Sequence, residues 1–219
     1  MTILKFKDYS LDIPARVYLP SDDTDLMIDV LEEEIVKSNK QIKKAIEIGS
    51  GNAFLSLEVY PNVKEITSID INPIVIDYLL DVKEQYSLDK MKVVYSNLFD
   101  SVDEQKKFDL IIFNPPYVPS EEIEYDEDDD EINGYDLAVD GGKDGREIID
   151  RFIEQLSDHL AQDGVCFLLV SSHNDVPSVI KTVEERKLNA EIKGTKKLFF
   201  EELFVLKINW KWVGYVKNK

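Results

Sequence analysis

The feature that most constrains this chain is a series of short apolar segments, each ending in residues that do not belong in a strand. Lys44–Ile48 reads as a buried strand that runs straight into Gly49-Ser50-Gly51-Asn52-Ala53, and a helical stretch, Phe54–Tyr60, follows. Glu65–Asp70 reads as a second strand. It ends at an acid and leads into Asn72-Pro73, with proline suited to the first turn of a helix. Ile74, Tyr78 and Val82 fit one face of that helix. Lys92–Tyr95 and Phe108–Phe113 are a third and a fourth strand, and the near-continuous hydrophobicity of the fourth fits burial on both faces. Gly164–Val170 is a fifth. Helical spacing recurs at Met27, Val30, Leu31 and Ile35, predicting a helix over 22–38 whose start, Ser21–Asp25, offers capping oxygens. It recurs at Ile148, Ile149, Phe152, Ile153, Leu156 and Leu160, and again over Asp175–Lys187. Two last strands, near 190–198 and 202–212, have no helix between them and predict an antiparallel hairpin. The alternation predicts an α/β fold: seven strands, mostly parallel, with helices on both faces. Ligands of such sheets bind beyond the C-terminal ends of the strands, and the unusual residues here follow the first four.

Charge narrows the function classes. The chain carries 44 acidic and 26 basic residues, a formal net charge of −18. That charge repels phosphate backbones, so autonomous nucleic-acid binding is not expected. No apolar run approaches the ~20 residues of a membrane span, and Met1–Asp8 lacks the apolar stretch of a signal peptide. The single cysteine, Cys166, excludes an internal disulfide, and with two histidines no protein-held metal is expected. A reducing, cytoplasmic setting follows. Apolar residues at 43% suffice for a core, so one domain over 1–219 is expected. Within it, Glu121–Glu131 has nine acidic residues in eleven positions and reads as a solvated loop.

Two constellations carry chemistry. In Glu47-Ile48-Gly49-Ser50-Gly51-Asn52-Ala53, a strand, a Gly-rich turn and a helix start make a small-ligand loop. Asp70 ends the next strand 19 residues after Gly51, where a carboxylate can accept ribose hydroxyls. Phe54 stands where a dinucleotide fingerprint wants its third glycine, which argues against a nicotinamide cofactor. The second constellation, Asn114-Pro115-Pro116-Tyr117, ends the fourth strand. Its prolines fix the backbone. The Asn114 side-chain oxygen and a main-chain carbonyl can accept two N–H bonds from an NH2 group, and Tyr117 can stack on a planar group. No general base stands beside Asn114 in sequence.

Together, Glu47-x-Gly49-x-Gly51, Asp70-x-Asn72-Pro73, Asn97-Leu98-Phe99 and Asn114-Pro115-Pro116-Tyr117 resemble S-adenosylmethionine-dependent methyltransferases of planar nitrogen. Within these the chain is most similar to the HemK-like protein-glutamine methyltransferases. Pro20–Asp25 resembles that family's Pro-x-x-(Glu/Asp)-Thr-(Glu/Asp) segment, and Asp140–Gly145 its Gly-Gly-x-x-Gly loop. Gly145–Phe152 resembles the archaeal and eukaryotic branch. The resemblance spans roughly residues 15–208 and implies a Rossmann-like seven-stranded methyltransferase sheet. It implies that S-adenosylmethionine is held by Thr24, Glu47, Gly49, Gly51, Asp70, Ile71, Asn97, Leu98 and Asn114. Asn97 stands where the family usually has Asp, and Ala53 where many relatives have a glycine. Asn114, Pro115 and Tyr117 would form the catalytic set. The implied substrate is the glutamine of the Gly-Gly-Gln motif in a class-one translation release factor. A small zinc-binding activator subunit is implied as well. Lys92–Tyr95, expected at the sheet edge, is its predicted docking strand.

Other readings share the tetrapeptide. It occurs also in methyltransferases of adenine or guanine amino groups in nucleic acid, which need a basic groove or an added domain. A non-catalytic scaffold subunit of the same fold is a third reading, and such subunits often lose one of the two motifs. Cys166 in its apolar strand is expected to be a small core residue. His159 and His173 are expected to be structural or exposed. Trp210 and Trp212 alternate on the last strand and would share one face, packed against a helix.

Overall fold

A computed structural model describes residues 1–39, 41–123 and 136–211. A seven-stranded sheet has the order β5-β4-β3-β6-β7-β9-β8, made from β3 (Ile42–Ile48), β4 (Val63–Asp70), β5 (Met91–Tyr95), β6 (Phe108–Phe113), β7 (Leu160–Ser171), β8 (Leu188–Lys197) and β9 (Glu202–Trp210). The first five pair in parallel, and β9 runs antiparallel to both β7 and β8. The expected mixed α/β sheet with its C-terminal hairpin is therefore present. β5 is an edge strand, as expected.

The continuous hydrophobicity of the central strands follows from burial on both sides. In β6, Leu110 and Ile112 belong to one apolar layer, with Met27 and Leu31 of α1 (Asp22–Leu31), Leu55 and Leu57 of α2 (Phe54–Val59), and Leu79 of α3 (Pro73–Gln85). Ile111 and Phe113 belong to the other, with α4 (Asp136–Val139) preceding the helices that cover it: α5 (Glu147–His159) and α6 (Val176–Glu185). The period-two alternation of strand side chains produces this division. Cys166 is fully buried in the second layer and is the small core residue expected of it. His159 is buried too, stacked on Phe99 at 4.2 Å between centroids, with Nδ1 3.2 Å from the Lys106 carbonyl.

Several boundaries differ from the sequence reading. The helix over 22–38 is α1 continued by a π-helical turn at Glu32–Val36, and Ser21 at its N-cap makes no side-chain capping bond. β7 starts at Leu160, four residues before Gly164, because Leu160 pairs with Phe108 across an irregularity in the ladder. Trp210 donates from its indole to the Ala161 carbonyl at 3.0 Å and packs in the second layer. Trp212 and most of the acidic run lie outside the described residues. An N-terminal hairpin, β1 (Thr2–Phe6) with β2 (Tyr9–Ile13), was not foreseen from the sequence. It lays Leu11 and Ile13 into the first layer, and Phe6 stacks on Phe54 at 4.4 Å. Among the described residues, no helix is long and apolar enough to cross a membrane.

Candidate active site

The C-terminal ends of β3, β4 and β6 open into one cleft of about 430 Å³, within the range of small-molecule sites. At one end the strand β3 delivers Glu47 to the floor, 2% exposed. Glu47 accepts a hydrogen bond from the Ser56 hydroxyl, and Ser56 in turn meets the Ser68 hydroxyl at 2.7 Å. Burial pushes the Glu47 carboxyl up to about 8, against the pull of the Ser56 bond. The following loop is tied to β4 by Ser50 N–H donating to the Ile69 carbonyl at 2.9 Å. Ala53, which starts α2, has φ +72 and is fully buried. A glycine would adopt that conformation without strain, so a glycine at this position in relatives has a physical reason.

Asp70 ends β4 with 8% of its surface exposed. One carboxylate oxygen accepts the Gly51 N–H at 3.0 Å and the other the Asn72 N–H at 2.8 Å. Burial raises its carboxyl above the usual range, and these backbone bonds oppose the rise. Each oxygen keeps a lone pair for a hydroxyl donor. The segment before α1 closes over this end. Asn52 donates to the Tyr18 carbonyl at 3.1 Å, and Asn72 to the Arg16 carbonyl at 3.3 Å.

At the other end, β6 stops at Asn114-Pro115-Pro116-Tyr117. The Asn114 side-chain nitrogen donates to an Asp23 carboxylate oxygen at 2.9 Å. Its Oδ1 is buried and has no hydrogen-bond partner among the described residues. A carboxylate only accepts, so the NH2 of Asn114 must face Asp23, which leaves Oδ1 as the side chain's unused acceptor in a residue that lines the cleft. This turn is clamped from outside. Asn174 donates to the Tyr117 carbonyl at 2.8 Å and to the Gly145 carbonyl at 3.1 Å. Gly145 has φ +69, and a Cβ there would stand 2.2 Å from the Tyr117 carbonyl oxygen. The Gly-Gly-x-x-Gly loop is thus a strap that lies backbone to backbone on the tetrapeptide turn.

Thr24, Glu47, Gly49, Gly51, Asp70, Ile71, Asn97, Leu98, Asn114 and Pro115 all line the cleft. Tyr117 does not line it; its ring packs against both apolar layers, and burial raises its phenol. The expectation that Tyr117 lies on a planar substrate is not met by this side-chain position. Asn97 Oδ1 lies 3.4 Å from an Arg151 guanidinium nitrogen, a weak contact that a better donor can displace. Arg16, Tyr18, Asp23, Ile148 and Arg151 also line the cleft and were missed as site residues. Asp23 lies inside the Pro20–Asp25 segment, which was the one available signal for it; Arg16 and Tyr18 stand in an irregular stretch that offers none.

The arrangement pairs a loop suited to a nucleoside ligand with a buried, unused acceptor suited to an NH2 group. Residues 21–129 match the family model of the methyltransferase small domain. A protein of Methanocaldococcus jannaschii named protein N5-glutamine methyltransferase is 35% identical over 208 residues, 93% of this chain and 97% of that one. The human methyltransferase HEMK2 is 29% identical over 202 residues, 88% of this chain and 89% of its own. Among solved structures, Mtq2 of the E. cuniculi Mtq2–Trm112 complex, responsible for methylating the eRF1 termination factor, superposes with a TM-score of 0.66. It is 26% identical, with 90% of this chain and 99% of that chain covered.

Proposed function

The chain belongs to the HemK-like protein N5-glutamine methyltransferases, and we propose from that membership that it methylates the glutamine of the Gly-Gly-Gln motif in a class-one translation release factor. The buried Asn114 Oδ1, without a hydrogen-bond partner among the described residues, carries this reading. A buried acceptor left bare costs about 1–3 kcal/mol, so its retention calls for a donor that arrives with the substrate. A primary carboxamide supplies that donor.

S-adenosylmethionine fits the other end of the cleft, and when bound it supplies a methyl group activated on a cationic sulfur. Asp70 would take the ribose hydroxyls, and Glu47 with the Gly49–Gly51 backbone would line the methionine part. Thr24, Ile71, Asn97 and Leu98 complete that set, with Asn97 facing the adenine amine.

The protein's own work is alignment. The amide nitrogen of glutamine is a poor nucleophile because its lone pair is delocalised. Asn114 Oδ1 and a carbonyl of the proline turn would accept its two N–H groups and turn the lone pair toward the methyl group. Pro115 and Pro116 keep that acceptor pair from moving. Holding reactants in this way is worth about 7–11 kcal/mol when orientation is complete. The nitrogen becomes acidic as it gains positive charge, so its proton can leave late, without a strong base.

The same reading takes the whole chain as one catalytic domain, and takes the edge strand β5 as the docking surface of a small zinc-binding activator. Tyr95, 57% exposed on that strand, favours it. Methyl transfer from labelled cofactor tests the substrate. Intact release factor should be labelled, alone or with the activator present. A version with Gly-Gly-Asn should not, since the shorter side chain stops one methylene away. Label in RNA or DNA instead would assign the amino group of a base; cofactor binding without any transfer would assign a scaffold.

A further inference from the structure

Asp23 is a carboxylate with 3% of its surface exposed, at the start of α1. Its neighbours Asp22 and Asp25 pair with Lys196, at 2.7 and 3.9 Å. Asp23 has no ion pair among the described residues. Its oxygens accept instead from Thr24 N–H at 2.6 Å, from the Thr24 hydroxyl at 3.3 Å, and from Asn114 Nδ2 at 2.9 Å. Burying a charge this way is expensive, and a neutral side chain would pack there at less cost. The buried charge therefore calls for a reason beyond packing.

We propose that Asp23 is the positioning residue that holds Asn114 in its acceptor orientation, and thereby makes the site selective for a primary NH2 donor. The inference rests on the reading of Asn114 given above. A carboxamide can present either its oxygen or its NH2 to the cleft, and the two orientations have nearly the same shape. Only the first receives the hydrogens of an incoming NH2. Asp23 excludes the second, because a carboxylate facing the Asn114 oxygen would be acceptor against acceptor. Donation to a charged oxygen also polarises the Asn114 amide and makes Oδ1 a stronger acceptor. That effect grows in value as the substrate nitrogen gains positive charge. A role confined to the α1 N-terminus would need none of this, since Asp22 and Asp25 already supply negative charge to that turn.

A swap of the pair separates the two roles. Asp23→Asn, Asn114→Asp and the double variant are made in the full chain, and kcat, cofactor affinity and melting are measured for each. Asp23→Asn should lower kcat about 100-fold, the scale of a lost orientation, with cofactor affinity within about threefold. Asn114→Asp sets two carboxylates against each other and should fall at least as far. The double variant restores a donor facing an acceptor with the roles reversed, and leaves an oxygen toward the cleft. Its kcat should exceed that of Asn114→Asp by about tenfold or more, a coupling that independent structural losses do not produce. If Asp23→Asn folds poorly, Asp23→Ala gives the same first comparison. Near-normal kcat in these Asp23 variants, or a double variant no better than Asn114→Asp, would overturn the proposal. If the wild type methylates another NH2-bearing acceptor, the same series on that acceptor still tests Asp23, while the release-factor reading alone fails.

Discussion

The two ends of the cleft are built on opposite terms. At the Glu47–Asp70 end, the polar groups meet one another: Glu47 with Ser56, Ser56 with Ser68, and Asp70 with two backbone N–H groups. These residues lie within one stretch of chain, 47–72, although Tyr18 and Arg16 are tied to the same end across 34 and 56 positions. At the Asn114 end the groups come from far apart. Asn114 meets Asp23 across 91 positions, and Tyr117 is held by Asn174 across 57. One buried acceptor there is left bare. The difference separates binding from reaction: a self-satisfied end can hold a ligand in its ground state, and an unsatisfied end gains most when the reacting nitrogen arrives.

This contrast makes the clamp on the tetrapeptide the most sensitive outside contact. Gly145→Ala puts a methyl group where the Tyr117 carbonyl stands, in a left-handed backbone conformation. The turn must shift, and kcat should fall about 100-fold, the cost of an ångström of misplacement, with cofactor affinity nearly intact. Equal loss of both would show that the two ends are one unit.

Asp70→Asn is the mirror experiment. It preserves shape, removes charge and sets an NH2 against one of the Gly51 and Asn72 N–H groups, whereas Asp70→Ala would orphan both. Charge-assisted bonds contribute about 1.5–3 kcal/mol, so the cofactor dissociation constant should rise roughly tenfold or more. At saturating cofactor, kcat should change little. An unchanged dissociation constant would remove Asp70 from the ligand's contacts.

A smaller effect is expected in the pH dependence of stability. Glu47 titrates at about 8 in the folded chain because burial disfavours its charge, against an ordinary value of 4.5. Below 4.5 both folded and unfolded forms hold the proton, and the full contribution to stability is present. As pH rises toward 8 the unfolded chain has released its proton and the folded chain has not, so stability declines across that window. Asp70, raised for the same reason, acts in the same direction. Melting followed from pH 5 to 8 should show the slope in the wild type and a shallower one in Glu47→Gln. Parallel slopes would show that Glu47 ionises normally.

Local chemistry was legible in the sequence, and long-range assembly was not. The Gly49–Gly51 turn, Asp70 at its strand end and the Asn-Pro-Pro-Tyr turn each announce themselves within a few residues, because strand ends and tight turns restrict residue type. The mostly parallel sheet and its C-terminal hairpin followed from the alternation of strands and helices, and β5 stands at the edge expected of it. The β1–β2 hairpin was not legible because its turn, Lys7-Asp8, lacks the usual glycine or asparagine although Lys7 has φ +51. The Asp23–Asn114 pair could not be read either, since nothing local distinguishes Asp23 from Asp22 or Asp25. The packing of Tyr117 was not legible for a related reason: its place in the motif points to the substrate, while its ring also packs against both apolar layers.

Whether the Asn114 oxygen receives the reacting NH2 can be read in a single-turnover experiment. Wild type and Asn114→Ala are first loaded with saturating labelled cofactor, and loading is measured by calorimetry. Excess intact release factor is then added, and methyl appearing on the Gly-Gly-Gln glutamine is followed in time by mass spectrometry. Loading should be equal, with a transfer rate about 10²–10³-fold lower in Asn114→Ala, as for other single groups that act on the transition state. Equal loading with transfer near the wild-type rate would contradict this role of Asn114, and would make the tetrapeptide a structural turn.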